Sequence, residues 1–487
     1  MFSGKWPLDP LRHDWPMTRI LRPKELAYSR SKIIPPGLLG TANIITPFWN
    51  IPPPNNKQGM NVGIARPQFL ETIKFVDLIP TFPSILKILL EKCRGHAVTN
   101  PLDAIYALFG LADHLMEMYN VKHRNRKFQV DYKLPVWVVF QTAARIMLEG
   151  TPSLSLLSFW SDLTIHNVEK LPSWVPDFSR RFDDTYPNIR IYAHNKDAGF
   201  NAADIKHKFP AVRQVDRNRL LICGYRVDTI ERHAAIIEEK GENWVILESI
   251  LELCLELDLK YLNGQDRVEA LQRTLEWELA STTPSENRGK FWSYIIGHLQ
   301  YKVYRMAAFE DYSDYSYGGV NDPRSVVREQ AETHIRILHL CEKLAKDSSV
   351  RLPTVEEYTE WVTRFVDAFC HEEDEIAQEE ALSAFSMEAV MNCIRISHLY
   401  SDHHMRLFRG AKSYIGLGPA PSTVDDEVWI LENSRMPFIL RRVEDGEEGE
   451  HQYRLLGEAY VHGIMHRELF LDTIEDEKPK FEKLIII

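Results

Sequence analysis

Surplus basic charge is missing from this chain. Its 487 residues carry 58 Lys and Arg against 69 Asp and Glu, a net charge of −11. Binding nucleic acid or an anionic membrane in general takes an excess of cations to meet phosphates, so neither is expected as a partner. The compact basic cluster His123-Arg124-Asn125-Arg126-Lys127 reads as a loop. Long apolar runs are missing too. Charge or proline interrupts each one well short of the roughly 20 residues that span a bilayer. The terminal Leu484-Ile485-Ile486-Ile487 is too short to anchor anything, and MFSGKWPLDP has no apolar core of a signal peptide. Paired cysteines are missing as well. Cys93, Cys223, Cys254, Cys341, Cys370 and Cys393 form no C-x-x-C, and several lie in apolar helical runs. Reduced, buried thiols in a soluble cytoplasmic protein are expected, rather than a disulfide framework or a zinc site.

The recognised catalytic patterns are also lacking. There is no G-x-S-x-G, no H-E-x-x-H and no Cys/His pair in a nucleophile context. Gly416-Leu417-Gly418-Pro419 lacks the spacing of a phosphate loop, and Pro419 removes a backbone N–H that such a cradle needs. His462 and His466 stand four apart with Glu468 near, a spacing that suits a metal on a helix. His462 falls at a strand end before Gly463, where helical facing does not apply. Adjacent Asp402, His403 and His404 do not converge in regular structure. No catalytic, cofactor-binding or metal-binding residue is therefore assigned, and no cofactor is expected.

What is present divides the chain into five stretches. Residues 1–66 hold ten of the 27 prolines and read as an irregular segment. Residues 67–165 read as helical. Asn100 suits an N-cap, Pro101 the first helical position, Asp103 the first turn, and Gly110 a helix stop. Val136, Val139, Phe140, Ala143, Ile146 and Met147 recur at core-face spacing in a helix over 136–149, opened by Pro135 and closed by Gly150. Residues 166–235 are extended, and 219–230 read as a strand with a bulge at Gly224. Residues 236–404 are helical, with helices expected at 243–262, 266–281, 291–309, 325–346, 355–369 and 382–399. The acidic run 372–380 reads as solvated.

Residues 405–487 are β-rich. Glu427–Leu431, Phe438–Val443 and Tyr453–Val461 read as strands, the last two as a hairpin with an acidic loop. In the third, Tyr453, Leu455, Ala459 and Val461 share one face by alternation, with Arg454 and Glu458 on the other. An isolated hairpin is marginal, so the strand at 219–230 is expected to join this one. The fold class is α+β, mostly helical, with a small antiparallel β-sheet or partial barrel made by a mid-chain strand and the C-terminal strands. The helical region is inserted between strands of that sheet.

Several of these segments resemble the C-terminal region of fungal heterokaryon-incompatibility (HET domain) proteins. Gly416–Pro419, then Pro437, Phe438, Leu440 and Arg441, then Tyr453, Arg454, Leu455, Gly457, Glu458 and Tyr460 to Met465 match its signature. Asp426-Glu427 departs from the family's usual Gly-Asp. Pro101, Asp103, Tyr106, Ala107, Leu108, Gly110 and Leu111 match an earlier block, as do Leu171 to Asp177 of "L-P-S-W-V-P-D" and Val227-Asp228 of "V-D-x-I". Packing is the expected role of the Trp174 motif. The blocks of the HET signalling domain proper are not found. The resemblance implies a truncated or headless member acting in non-self recognition and cell death. The expected role is a non-enzymatic scaffold or regulatory module. The alternative is a nucleotide-binding or hydrolytic enzyme with its site at the sheet–helix junction. The expected partner is a chain carrying the missing HET domain, docking on an apolar surface near 67–110.

Overall fold

The computed structural model describes residues 81–93, 98–118, 130–151, 154–158, 168, 170–179, 200–203, 212–214, 218–235, 243–275, parts of 291–303, 323–345, 352–370, 405–443, 451–471 and 479–487. The proline-rich 1–66, the basic cluster 123–127, the helix expected at 382–399, the acidic run 372–380, Asp402 to His404 and the 444–450 loop lie outside them.

Among the described residues the first helices are α1 (Phe82–Cys93), α2 (Asp103–Met118) and α3 (Val136–Gly150). The Leu102 amide donates to Asn100 Oδ1 at 3.1 Å, so Asn100 caps this turn as its side chain suggests. Gly110 does not stop the helix. α2 runs on to Met118 because Ala112, Leu115 and Met116 extend the buried face past it, while Gly110 itself sits exposed in mid-helix. In α3, Val139, Phe140, Ala143 and Met147 are buried and Val136 and Ile146 half-buried. Gly150 ends α3 where a Cβ would overlap the ring of Pro83, so its smallness lets α1 close on α3.

After a single 3-10 turn (Ser155–Ser158) come β1 (Val212–Gln214) and the 14-residue β2 (Leu220–His233). Among the described residues α4 (Asn243–Leu255), α5 (Arg267–Leu275), α6 (Pro323–Ala345) and α7 (Val355–Cys370) follow, with further helical residues within 291–303. α4 is shorter than its apolar stripe suggests. Arg267 Nη1 donates to the carbonyls of Leu255 and Leu257, both at 3.2 Å, and satisfies the helix end there. The strands β3 (Met405–Gly410), β4 (Ile415–Pro419), β5 (Glu427–Leu431), β6 (Phe438–Val443), β7 (Gln452–Glu458) and β8 (Tyr460–Val461) come next, then the short α8 (Glu468–Leu471) and β9 (Glu482–Ile486).

β2 organises the sheet. Its first half pairs with β9 and with β5, and the pairings β5–β6, β6–β7 and β7–β9 lead back to it as a ring of five strands. Its last residues pair with β3, which continues through β4 to β8. The mid-chain strand and the C-terminal strands thus form one sheet, but the sheet is neither small nor purely antiparallel. Among the described residues nine strands take part, and β7 and β9 run parallel. A hairpin forces an antiparallel pair, whereas β9 arrives after α8 and inserts between β7 and β2. Alignment against β2 then makes it parallel to β7. The apolar tail is a ring strand, with Leu484 and Ile486 buried inside.

Gly224 is not the bulge. It pairs in register with both Leu431 and Glu482, and a Cβ there would stand 2.9 to 3.1 Å from Leu484, Leu431 and Trp429. The register shifts instead between Arg226 and Asp228 and between Ile230 and Arg232. A further shift in the β6–β7 ladder skips Leu456. It divides the alternation expected for 453–461. Tyr453 and Leu455 face the ring interior and α1–α3, while Leu456, Ala459 and Val461 join a separate core with Val428 and Ile430. Glu458 is buried despite its charge.

The helices α4–α7 lie between β2 and β3 in the chain, and their core meets Leu407, Ile415 and Leu417 of β3 and β4. No helix of the described residues is long and apolar enough to cross a membrane.

Candidate functional site

The junction between sheet and inserted helices is filled by a hydrogen-bonded pin. Tyr261, on the loop between α4 and α5, donates its hydroxyl to the carbonyl of His462 at 2.9 Å. The same oxygen accepts the Ile415 amide at 3.1 Å. His462 Nε2 lies 2.6 Å from Gln265 Oε1, and Nδ1 lies 3.3 Å from the Tyr460 hydroxyl. Tyr261 and His462 are both buried. Burial raises the Tyr261 phenol above its ordinary pKa and outweighs the Ile415 hydrogen bond, which lowers it. Positive φ at Gly463 and at Gly264 turns the two segments toward each other.

His462 and His466 do not converge. His462 is buried in the pin, whereas His466 is exposed with its ring 5.5 Å from that of Phe200, and its backbone amide donates to Glu468 Oε2 at 2.6 Å. Among the described residues no group of three or more His, Cys, Asp and Glu is placed to hold a metal. Gly416 to Pro419 form β4. A Cβ on Gly416 would lie 2.5 Å from the Tyr460 carbonyl and 2.6 Å from the Phe408 ring, so this glycine serves close strand packing. Trp174 is buried and donates its indole N–H to Asn218 O at 3.0 Å. Beside it, Ser173 Oγ accepts the Leu455 amide at 2.9 Å and the Ser173 amide donates to Ile487 O at 3.1 Å. That motif closes one mouth of the ring.

The other mouth is polar. All five ring strands carry an apolar inward series that ends in a polar side chain, β9 through Ile486, Leu484 and Glu482. β2 gives Leu220, Ile222, Gly224 and Arg226; β5 gives Leu431, Trp429 and Glu427; β6 gives Phe438, Leu440 and Arg442; β7 gives Leu455 and Tyr453. Glu427 is buried, with 5% of its surface exposed. Its carboxylate accepts from Arg226 Nη1 at 3.2 Å and from the Trp429 indole at 2.8 Å. The Glu427 charge also acts on the Tyr453 phenol. Burial and this carboxylate push Tyr453 up to about 12, against the pull of Arg442 and Arg226. Arg442 Nη2 lies 2.9 Å from His451 Nδ1, which must accept because a guanidinium only donates. The sequence reading met these residues singly and assigned none of them. The available signal was that successive strands each trade an apolar inward residue for a polar one at the same end.

Residues 334–481 match the Het-6 beta-barrel domain. The C-terminal region belongs to the heterokaryon incompatibility family. The match starts within α6 and takes in β3 to β8, so β2 and β9, which complete the ring, lie outside it. No curated protein and no solved structure matches the chain. The apolar docking surface expected near 67–110 does not appear on the described part of that stretch. α1 and α2 bury their large apolar side chains against α3, and the nearest exposed ones are Val130, Tyr132 and Leu134 in the segment before α3.

Proposed function

We propose that the chain is a non-enzymatic scaffold or regulatory module of fungal non-self recognition and cell-death signalling, acting in the cytoplasm. The observation that carries this reading is the Tyr261–His462 pin. It occupies the sheet–helix junction, where an enzymatic site would be looked for, with buried polar atoms that bond to one another. A junction made this way transmits position rather than chemistry: the loop between α4 and α5 is fixed to β4 and to the turn after β8, beside the apolar core that the inserted helices share with β3 and β4. The partner proposed is a chain carrying a HET domain.

Two measurements on the purified chain test this. Titration calorimetry with a HET-domain chain should give saturable binding, and incubation with NAD or ATP should give no product. Turnover that scales with protein concentration and disappears on unfolding would overturn the scaffold reading in favour of a nucleotide-binding or hydrolytic enzyme.

A further inference from the structure

A cavity of about 350 Å³ opens beside the Trp174 motif, where that motif closes the ring. Its size falls in the range of small-molecule pockets, roughly 300–1,000 Å³. It lies between two segments that carry separate sequence motifs, Leu171 to Asp177 and Tyr453-Arg454-Leu455. The Ser173 contacts to Leu455 and Ile487 hold these segments together there. Leu171, Pro172 and Ile487 give the cavity an apolar wall, and Lys170, Asn218 and Arg454 give it polar groups. None of the lining residues has an acidic side chain. Among the described residues neither Lys170 nor Arg454 takes part in an ion pair. The β6–β7 register puts Arg441 beside Arg454, and Arg441 is already paired with Asp426. Two cations against one carboxylate counted at Ile487 still leave one positive charge in excess. Cations that face one cavity repel each other, and an anion between them offsets that cost.

We propose that this cavity binds a small organic anion, a phosphate or carboxylate on an apolar body, with Lys170 and Arg454 on the anion and Leu171 and Pro172 against the body. Arg454 offers a planar fork that matches two oxygens, and Lys170 a point charge. Lys170 precedes the Trp174 motif and Arg454 stands on β7, so the ligand ties that motif to the ring.

Calorimetric titration of the whole chain with phenyl phosphate and, separately, with benzoate tests the site and shows which anion it prefers. Saturable binding of at least one is expected. It should weaken at least tenfold in Arg454→Met and in Lys170→Met, and stay unchanged in Arg364→Met, which removes an exposed arginine on α7. Asn218→Asp keeps an acceptor for Gln141 and puts a negative charge on the lining, so it should weaken binding too. Binding should also raise the Tm of wild type with ligand concentration, and the rise should vanish in Arg454→Met. Arg454→Lys, which keeps the charge and loses the fork, should bind more weakly than wild type and serves if Arg454→Met fails to fold. Inorganic phosphate should bind more weakly than phenyl phosphate; equal affinities would overturn the part given to Leu171 and Pro172. Absence of saturable binding to both organic anions, or equal losses in Arg454→Met and Arg364→Met, overturns the proposal.

Discussion

Arg441 on β6 and Asp426 in the turn before β5 meet as a two-pronged pair. Nε lies 2.8 Å from Oδ1 and Nη2 lies 2.8 Å from Oδ2. Asp426 is buried, and it also accepts the Thr423 amide at 2.7 Å. Arg441 reaches the Pro421 carbonyl at 3.0 Å as well. One ion pair thus fixes the β4–β5 turn to the next strand but one. The Asp426 hydrogen bond raises the Arg441 pKa further.

Removing either partner strands the other. Arg441→Met and Asp426→Asn should each destabilise the protein by roughly 2–4 kcal/mol, because a buried charge or its donors lose their match. The double variant should cost clearly less than the sum of the two. Denaturant unfolding of all four proteins measures this. Strict additivity would show that the pair contributes nothing as a pair.

Two glycines should respond oppositely to the same substitution. Gly110 is exposed in mid-helix with nothing within 4 Å of a Cβ, so Gly110→Ala should stabilise by about 1 kcal/mol through helix propensity. At Gly150 the new methyl would overlap Pro83, and Gly150→Ala should destabilise by roughly 1–3 kcal/mol through overpacking. Thermal unfolding would place the two Tm values on either side of wild type. A gain at Gly150 would mean that α1 is free to shift away from α3.

His233 gives the protein a sensitivity to acid. Its Nε2 lies 3.0 Å from Ser422 Oγ, and its ring packs on Phe408. Burial and the neighbouring Arg406 lower its pKa from 6.5 to about 4, with Asp426 opposing. In that interval the unfolded chain binds the proton and the folded one does not. The stabilising contribution is complete above pH 6.5 and is lost as the pH falls toward 4. Asp228, whose carboxyl burial raises above its ordinary value, works the other way as the pH falls through its folded value. The difference between wild type and His233→Gln is therefore the readout. The Tm of His233→Gln should fall less between pH 6.5 and 4. Parallel curves for the two proteins would remove His233 as the cause.

Local chemistry was legible where the cause is local. The Asn100 cap, the buried stripe of α3 and the strands β5 and β6 each follow from side-chain type and spacing over a few residues. The grouping of 219–230 with the C-terminal strands was legible too, because a hairpin alone is too small to be stable and needed another strand. The pairing of β9 with β2 was not. An apolar run of a few residues has no periodicity that names its neighbour, and only the gap left between β2 and β7 selects it. The Tyr261–His462 pin and the Arg226–Glu427 mouth each join residues 201 positions apart. No spacing rule reaches that far. The sequence by itself determined which residues carry the apolar faces, the caps and the turns. The tertiary structure alone decided which polar groups meet, because that depends on strand order, on three shifts of register and on where the ring closes.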